Sequence, residues 1–147
     1  MEFEGTETIP ASRDAVWDPI TDPAVLTSCI MGAREVTRID ERTYEGRIQQ
    51  RVAGVTVSFD GTVHIEDLQR PERLVFTGSG ADDRTGSRMD ADVEVALTDE
   101  GGATTLEYDV EVRFAGKLAT LGSRVLRRQV RSNVDTYFAN LVEHLGQ

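Results

Sequence analysis

The last stretch of the chain, Gly116 to Gln147, restricts the possible folds more than any other. It contains no proline and carries apolar residues at helical spacing. Lys117 to Leu145 is therefore expected to form one helix of roughly 43 Å, at about 1.5 Å per residue. Most of the chain before it alternates instead with period two. Tyr44, Gly46, Ile48, Gln50 and Val52 share one side of a strand, and Val55, Val57, Phe59, Gly61, Val63 and Ile65 share one side of the next. Leu74, Phe76 and Gly78, then Met89 to Leu97, then Leu106 to Phe114 continue the pattern between turns at Gly54, Arg70-Pro71-Glu72, Asp82-Asp83 and Glu100-Gly101-Gly102. Consecutive half-apolar strands joined by short turns make an antiparallel meander with one wet and one dry face. Only the terminal helix is large enough to cover the dry face. The expected class is α+β, a curved antiparallel sheet of about six to seven strands around a long C-terminal helix.

The helix does not read as one uniform face. Leu118, Leu121, Gly122 and Val125 define one apolar side. Leu126, Val130, Val134, Tyr137, Leu141 and Leu145 define another, rotated from the first by more than about 90°. A straight helix cannot bury both sides against one surface, so it either bends near Leu126 or uses its first turns elsewhere. The expectation is that Val130 to Leu145 grips the sheet, while Leu118 to Val125 forms a movable wall beside a cavity.

At the other end, Glu2 to Ile9 alternates as a strand. Ser12 offers an N-cap for a short helix from Arg13 to about Ile20, limited by Pro19. Asp22, with Pro23 at the first helical position, starts a second short helix through Thr27. Three glycines, Gly46, Gly61 and Gly78, fall on the dry side of their strands, where Val or Ile would pack better. Each alone reads as a bend site; together, facing one helix, they imply unfilled volume.

Composition narrows the function. A 147-residue chain can bury its own core, and residues 1–147 read as a single domain. Twenty-six acidic against sixteen basic residues give a net charge of −10, which argues against nucleic-acid binding. Lys117 is the only lysine. An acidic surface nearly free of lysine points to adaptation to high salt, with an arginine-favouring GC-rich genome as the alternative. The N-terminus has neither a basic nor an apolar leader region, and no apolar run approaches the ~20 residues of a membrane span. The expected location is the cytoplasm. A single cysteine, Cys29, allows no intrachain disulfide and no CxxC motif.

Two segments carry a family resemblance. The opening MEFEGTETIPASRDAVWDPITDPAVLTSCIMGAREV, with the later GKLATLGSRVL and YFANL, resembles the carbon monoxide dehydrogenase G-subunit (CoxG) family over nearly the whole chain. Met31 departs from that family's usual Cys-Ile-Pro-Gly turn, beside Ile30 and Gly32. The resemblance implies a helix-grip fold of the START/Bet v 1-like superfamily, with a hydrophobic cavity between sheet and helix. It also implies a small accessory protein that binds a quinone- or lipid-like molecule. Such a protein would serve a carbon monoxide dehydrogenase-type molybdenum hydroxylase and link it to the membrane by peripheral contact at the inner face. The residues expected at the cavity are Ile30, Met31, Gln50, Phe59, Gly61, Phe76, Gly78, Met89, Tyr108, Leu118, Leu121 and Val125. No catalytic residue, metal or covalent cofactor is expected.

The residues themselves offer little for catalysis. His64 lies in wet-face register, His144 sits near the helix end, and both read as surface residues. Cys29, in an apolar context, reads as buried and inert. Gln50 shares register with apolar residues and either donates inside the cavity or reaches solvent at a strand end. Cyclases and dehydratases of the superfamily make an enzyme the main rival, but Gln50, Tyr108 and Ser87 are a thin polar set for proton transfer. A structural assembly chaperone, with no cavity ligand, is a third reading. Arg124, Arg127, Arg128 and Arg131 fall within an arc of roughly 100° on the helix. This stripe either meets an anionic partner (lipid headgroups, a ligand phosphate or an acidic protein) or pairs with the protein's own carboxylates.

Overall fold

A computed structural model describes residues 1–146 of the chain. Seven strands form one antiparallel sheet: β1 (Glu2–Ile9), β2 (Ala33–Asp40), β3 (Thr43–Val52), β4 (Val55–Gln69), β5 (Arg73–Asp82), β6 (Ser87–Asp99) and β7 (Thr104–Ala115). Their spatial order is β1-β7-β6-β5-β4-β3-β2. Strands β2 to β7 thus follow each other as a meander, and β1 returns to pair with β7, Glu2 opposite Glu111 and Ile9 opposite Thr104. The period-two pattern sets which face is dry, because a strand's side chains alternate between faces.

Two short helices separate β1 from β2. Helix α1 (Arg13–Thr21) starts where Ser12 Oγ accepts from the Ala15 amide at 3.3 Å. Helix α2 (Pro23–Cys29) starts where Asp22 Oδ1 accepts from the Ala24 and Val25 amides at 2.8 and 3.3 Å. Both caps satisfy backbone donors that a helix start leaves unpaired. Pro19 is accommodated inside α1, and α2 runs two residues past Thr27.

The C-terminal stretch is not one helix. Leu118–Leu121 forms a single 3-10 turn, and α3 (Ser123–Leu145) begins only after Gly122, whose φ is +90°. That left-handed conformation suits glycine and breaks the helical hydrogen-bond ladder. The reorientation inferred from the two apolar faces is therefore real, but it falls at Gly122 rather than near Leu126.

The core divides accordingly into two clusters. One joins α1 and the second half of α3 to the sheet through Val16, Trp17, Ile65, Leu106, Phe138 and Leu141. The other gathers Val52, Val57, Phe59, Leu118 and Leu126, with Leu121 and Val125 packed against it. Between the clusters the dry face is only half covered: Ile48, Val63, Phe76, Met89, Val93 and Val110 are all partly accessible. In a close-packed interior such residues would be sealed. Here they border a void.

Candidate ligand cavity

The void begins with a row of missing side chains. Gly46 of β3 lies opposite Gly61 of β4, and Gly61 lies opposite Gly80 of β5. Three adjacent strands therefore present bare backbone at one level of the dry face, and Gly78 adds a fourth gap one inward position along β5. A β-carbon at Gly61 would sit 3.0 Å from the Ser79 carbonyl oxygen, and one at Gly80 3.1 Å from Phe59 Cβ. Those two positions are tight as well as bare, whereas Gly78 has ordinary room, with Val63 Cγ2 at 3.6 Å.

Two compartments adjoin, and the glycine row floors the outer of them. The outer one, about 190 Å³, lies between α2 and strands β3 to β5, and no residue of α3 lines it. The inner one, about 280 Å³, lies between α3 and strands β5 to β7. Ile20, Leu26, Ile30, Leu74 and Phe76 border both. Taken together, they enter the range of small-molecule sites, on the order of 300–1,000 Å³. Among the described residues, no carboxylate, histidine or other charged side chain lines the inner compartment. Its occupant must be uncharged where it lies, because an unpaired ion in such surroundings would be strongly penalised.

The few polar groups in and around the two compartments are mostly committed. Tyr44 donates to the Thr21 carbonyl at 2.6 Å, and burial raises its pKa above the ordinary phenol value. The Tyr108 ring stacks on Phe138 with centroids 5.4 Å apart, and its hydroxyl accepts from Arg131 Nη1 at 2.9 Å. Asn133 donates to Gln50 Oε1 at 3.1 Å and accepts from Gln129 at 3.0 Å. Gln50 in turn donates to the Met31 carbonyl at 2.8 Å. This amide chain ties α3 to β3 and to the loop after α2. Tyr137 is raised in pKa chiefly by burial, with the neighbouring Cys29 thiol adding to it.

Of the residues expected at the cavity, Ile30, Phe59, Gly61, Phe76, Gly78, Met89 and Tyr108 line one compartment or both. The other five lie outside the lining. Met31 is 38 % exposed at the loop tip, and Gln50 is turned to the amide chain rather than into the void. Leu118, Leu121 and Val125 pack in the second core cluster, with Leu118 only 2 % exposed. They share a cluster with Val57 and Phe59, and Phe59 itself lines the outer compartment, so these three stand behind that lining rather than in it. Ser87, weighed as an inward polar group, is fully buried and spends its oxygen on the Leu118 amide at 3.1 Å. Leu26, Gly80, Asn133 and Tyr137 were not anticipated. Gly80 was readable, since it continues the Leu74, Phe76, Gly78 alternation; the inward aim of Asn133 and Tyr137 depends on where α3 starts.

The arginine stripe splits in two. Arg127 and Arg131 lie over the Phe3 ring at 5.1 and 5.4 Å, and Arg127 also donates to the Glu2 carbonyl at 3.1 Å. Arg124 and Arg128 are exposed, and among the described residues none of the four arginines forms an ion pair with a carboxylate. Also among the described residues, no group of three or more metal-ligating side chains converges, and no helix is long and apolar enough to cross a membrane.

A seven-stranded antiparallel sheet holding a long C-terminal helix over an apolar void is the helix-grip, START/Bet v 1-like fold. The family profile of the carbon monoxide dehydrogenase G-subunit (CoxG) matches residues 5–146, and the chain belongs to that family. Among solved structures, it is similar to a conserved protein from Geobacillus kaustophilus at 22 % identity and TM-score 0.92, covering 99 % of this chain and 95 % of that one. A Thermus thermophilus protein aligns at 16 % identity and TM-score 0.72, over 99 % and 97 % of the two chains. Ara h 8.0201 aligns at 15 % identity and TM-score 0.68, again over 99 % and 97 %. At these identities the likeness is one of fold. No curated protein sequence matches the chain.

Proposed function

We propose that this protein is a non-catalytic carrier of an apolar small molecule, quinone- or lipid-like, serving a carbon monoxide dehydrogenase-type molybdenum hydroxylase. The observation that carries the reading is the divided cavity, lined by uncharged side chains in its inner part and floored by glycine backbone in its outer part. A protein selected only as a rigid scaffold would gain stability by filling that volume. The enzyme partner is supported by family membership alone. Peripheral contact with an anionic membrane is supported by Arg124 and Arg128, which stand exposed on a chain of net charge −10.

The test is extraction of the protein, purified without detergent from a membrane-containing lysate, into organic solvent followed by mass spectrometry. A stoichiometric quinone or lipid is the expected result. If nothing is released and the uncharged probe N-phenyl-1-naphthylamine gains no fluorescence with the purified protein, the carrier reading is wrong. Vesicles of anionic phospholipid should bind the protein at low salt and lose it as salt rises, because the Debye length shrinks from about 10 Å at 0.1 M to about 3 Å at 1 M.

A further inference from the structure

One hydroxyl in the cavity has no partner. Tyr137, on the inner side of α3, lines the inner compartment, and its ring packs edge-on against Phe138 at 5.2 Å. Burial dominates its environment, and among the described residues no hydrogen bond reaches its oxygen. A sealed, unpaired polar atom would be costly, yet among the described residues there is no fully buried side-chain oxygen or nitrogen without a partner. The Tyr137 oxygen therefore borders open space while lying deep in the protein. The open space at that depth is the cavity.

The neighbouring polar groups sharpen the contrast. Asn133, one turn earlier on α3, uses both ends of its amide, and the Tyr108 hydroxyl is held by Arg131. Asn140, nearly one turn later, donates to the Cys29 carbonyl at 3.0 Å and fixes α3 against α2. Tyr137 thus sits on a braced segment, with its donor unused at the border of an apolar room and the Cys29 thiol as its polar neighbour. A phenol is protonated at physiological pH, and burial pushes it further that way, so the hydroxyl has a proton to offer.

Building on the carrier reading, we infer that the Tyr137 hydroxyl is the polar anchor of the site, and that the occupant is an uncharged apolar molecule carrying a hydrogen-bond acceptor such as a carbonyl oxygen. A pure hydrocarbon would fill the space but leave this donor unmet. A buried donor aimed at one atom gives orientation as well as affinity, as in other apolar sites with few polar groups.

The test uses two probes of nearly one shape, 2-acetylnaphthalene and 2-isopropenylnaphthalene, in which a methylene replaces the carbonyl oxygen. Each competes with N-phenyl-1-naphthylamine for the parent protein and for Tyr137→Phe. The expected result is an affinity for the ketone about tenfold lower in the variant, the scale of one hydrogen bond in an apolar site, with the hydrocarbon unchanged. Equal effects on both probes, or no effect on either, overturn the anchor while leaving the carrier reading intact. No binding of any probe to the parent protein overturns both. Should the variant fail to fold, the carbonyl stretch of the ketone bound to the parent protein decides. A frequency below its value in alkane supports the anchor, and an unshifted one rejects it.

Discussion

The Tyr108 hydroxyl accepts a 2.9 Å hydrogen bond from Arg131, across the strand position where Gly5 leaves room for the phenol. Any β-carbon at Gly5 would run into the Tyr108 ring and hydroxyl. A charged residue of α3 is thereby fastened to both strands at that end of the sheet, β7 through Tyr108 and β1 through the Phe3 ring. This is internal packing of a cation, not an invitation to a partner.

The four arginines should consequently separate by experiment. Arg131→Gln loses the hydroxyl contact and the Phe3 stacking, and is expected to cost about 1 kcal/mol, or roughly 3 °C in thermal midpoint. The double variant Arg124→Gln/Arg128→Gln should leave the midpoint unchanged and weaken binding to anionic vesicles at low salt. Thermal melts and vesicle co-sedimentation on the same preparations check both. A melt shifted equally by the two changes would contradict the division.

Two glycines make opposite predictions. A side chain at Gly78 meets only ordinary contacts, so Gly78→Val should fold, gain on the order of a few tenths of a kcal/mol from better strand propensity, and obstruct the outer compartment. Displacement titrations with N-phenyl-1-naphthylamine should show weaker binding. Gly116 has φ +78° and passes directly against the Gly86 carbonyl, so Gly116→Ala should lose more than about 3 kcal/mol through strain and steric overlap. A stable Gly116→Ala protein would mean that the β7–α3 link can move off the β5–β6 hairpin.

How much of this was legible in the sequence differs by element. The strands were, because Tyr44 to Val52 and Val55 to Ile65 alternate cleanly and only one pairing puts both apolar sets on one face. The caps at Ser12 and Asp22 were, because a short side-chain oxygen before a helix has one common use. The cavity was legible only as a deficit, through glycines on the dry side. Its boundaries were not. Leu118, Leu121 and Val125 have the right composition for a wall, but their placement follows from φ at Gly122, which a helical period cannot register. Tyr137 was indistinguishable from a core aromatic until α3 and α2 were fixed together at Asn140 and Cys29.

Ser87 illustrates a structural polar group that sequence register alone makes look functional. Its oxygen accepts from the Leu118 amide at 3.1 Å and from Thr85 Oγ1 at 2.9 Å, with the residue wholly buried. Ser87→Ala strands the Leu118 amide in the core and should cost about 1–3 kcal/mol, measured by urea unfolding. Probe binding at saturating protein should not change, because Ser87 lines neither compartment. Loss of probe binding with stability intact would reverse that assignment.

The same corner supplies the clearest pH dependence. Asp82, 6 % exposed at the end of β5, accepts from the Ser58 amide at 2.9 Å and from the Arg84 amide at 3.0 Å. The Ser58 bond above all, outweighing desolvation, holds its carboxyl below the usual value, so the unfolded chain binds its proton more readily than the folded one. Stability from this group is therefore complete above the unfolded carboxylate value of about 4 and is lost as pH falls through the lower folded value. Asp82→Asn replaces one accepting oxygen by a donor facing a backbone N–H, and should cost about 1–2 kcal/mol at pH 7. Protonation of other carboxylates affects parent and variant alike, so the difference between them isolates Asp82. That difference should be constant from pH 7 to about 5 and shrink below pH 4, when the parent's own carboxyl becomes protonated. Urea unfolding of both proteins at pH 7, 5 and 3 measures it, and a gap unchanged at pH 3 would show that the carboxylate's charge does not hold the hairpin to β4.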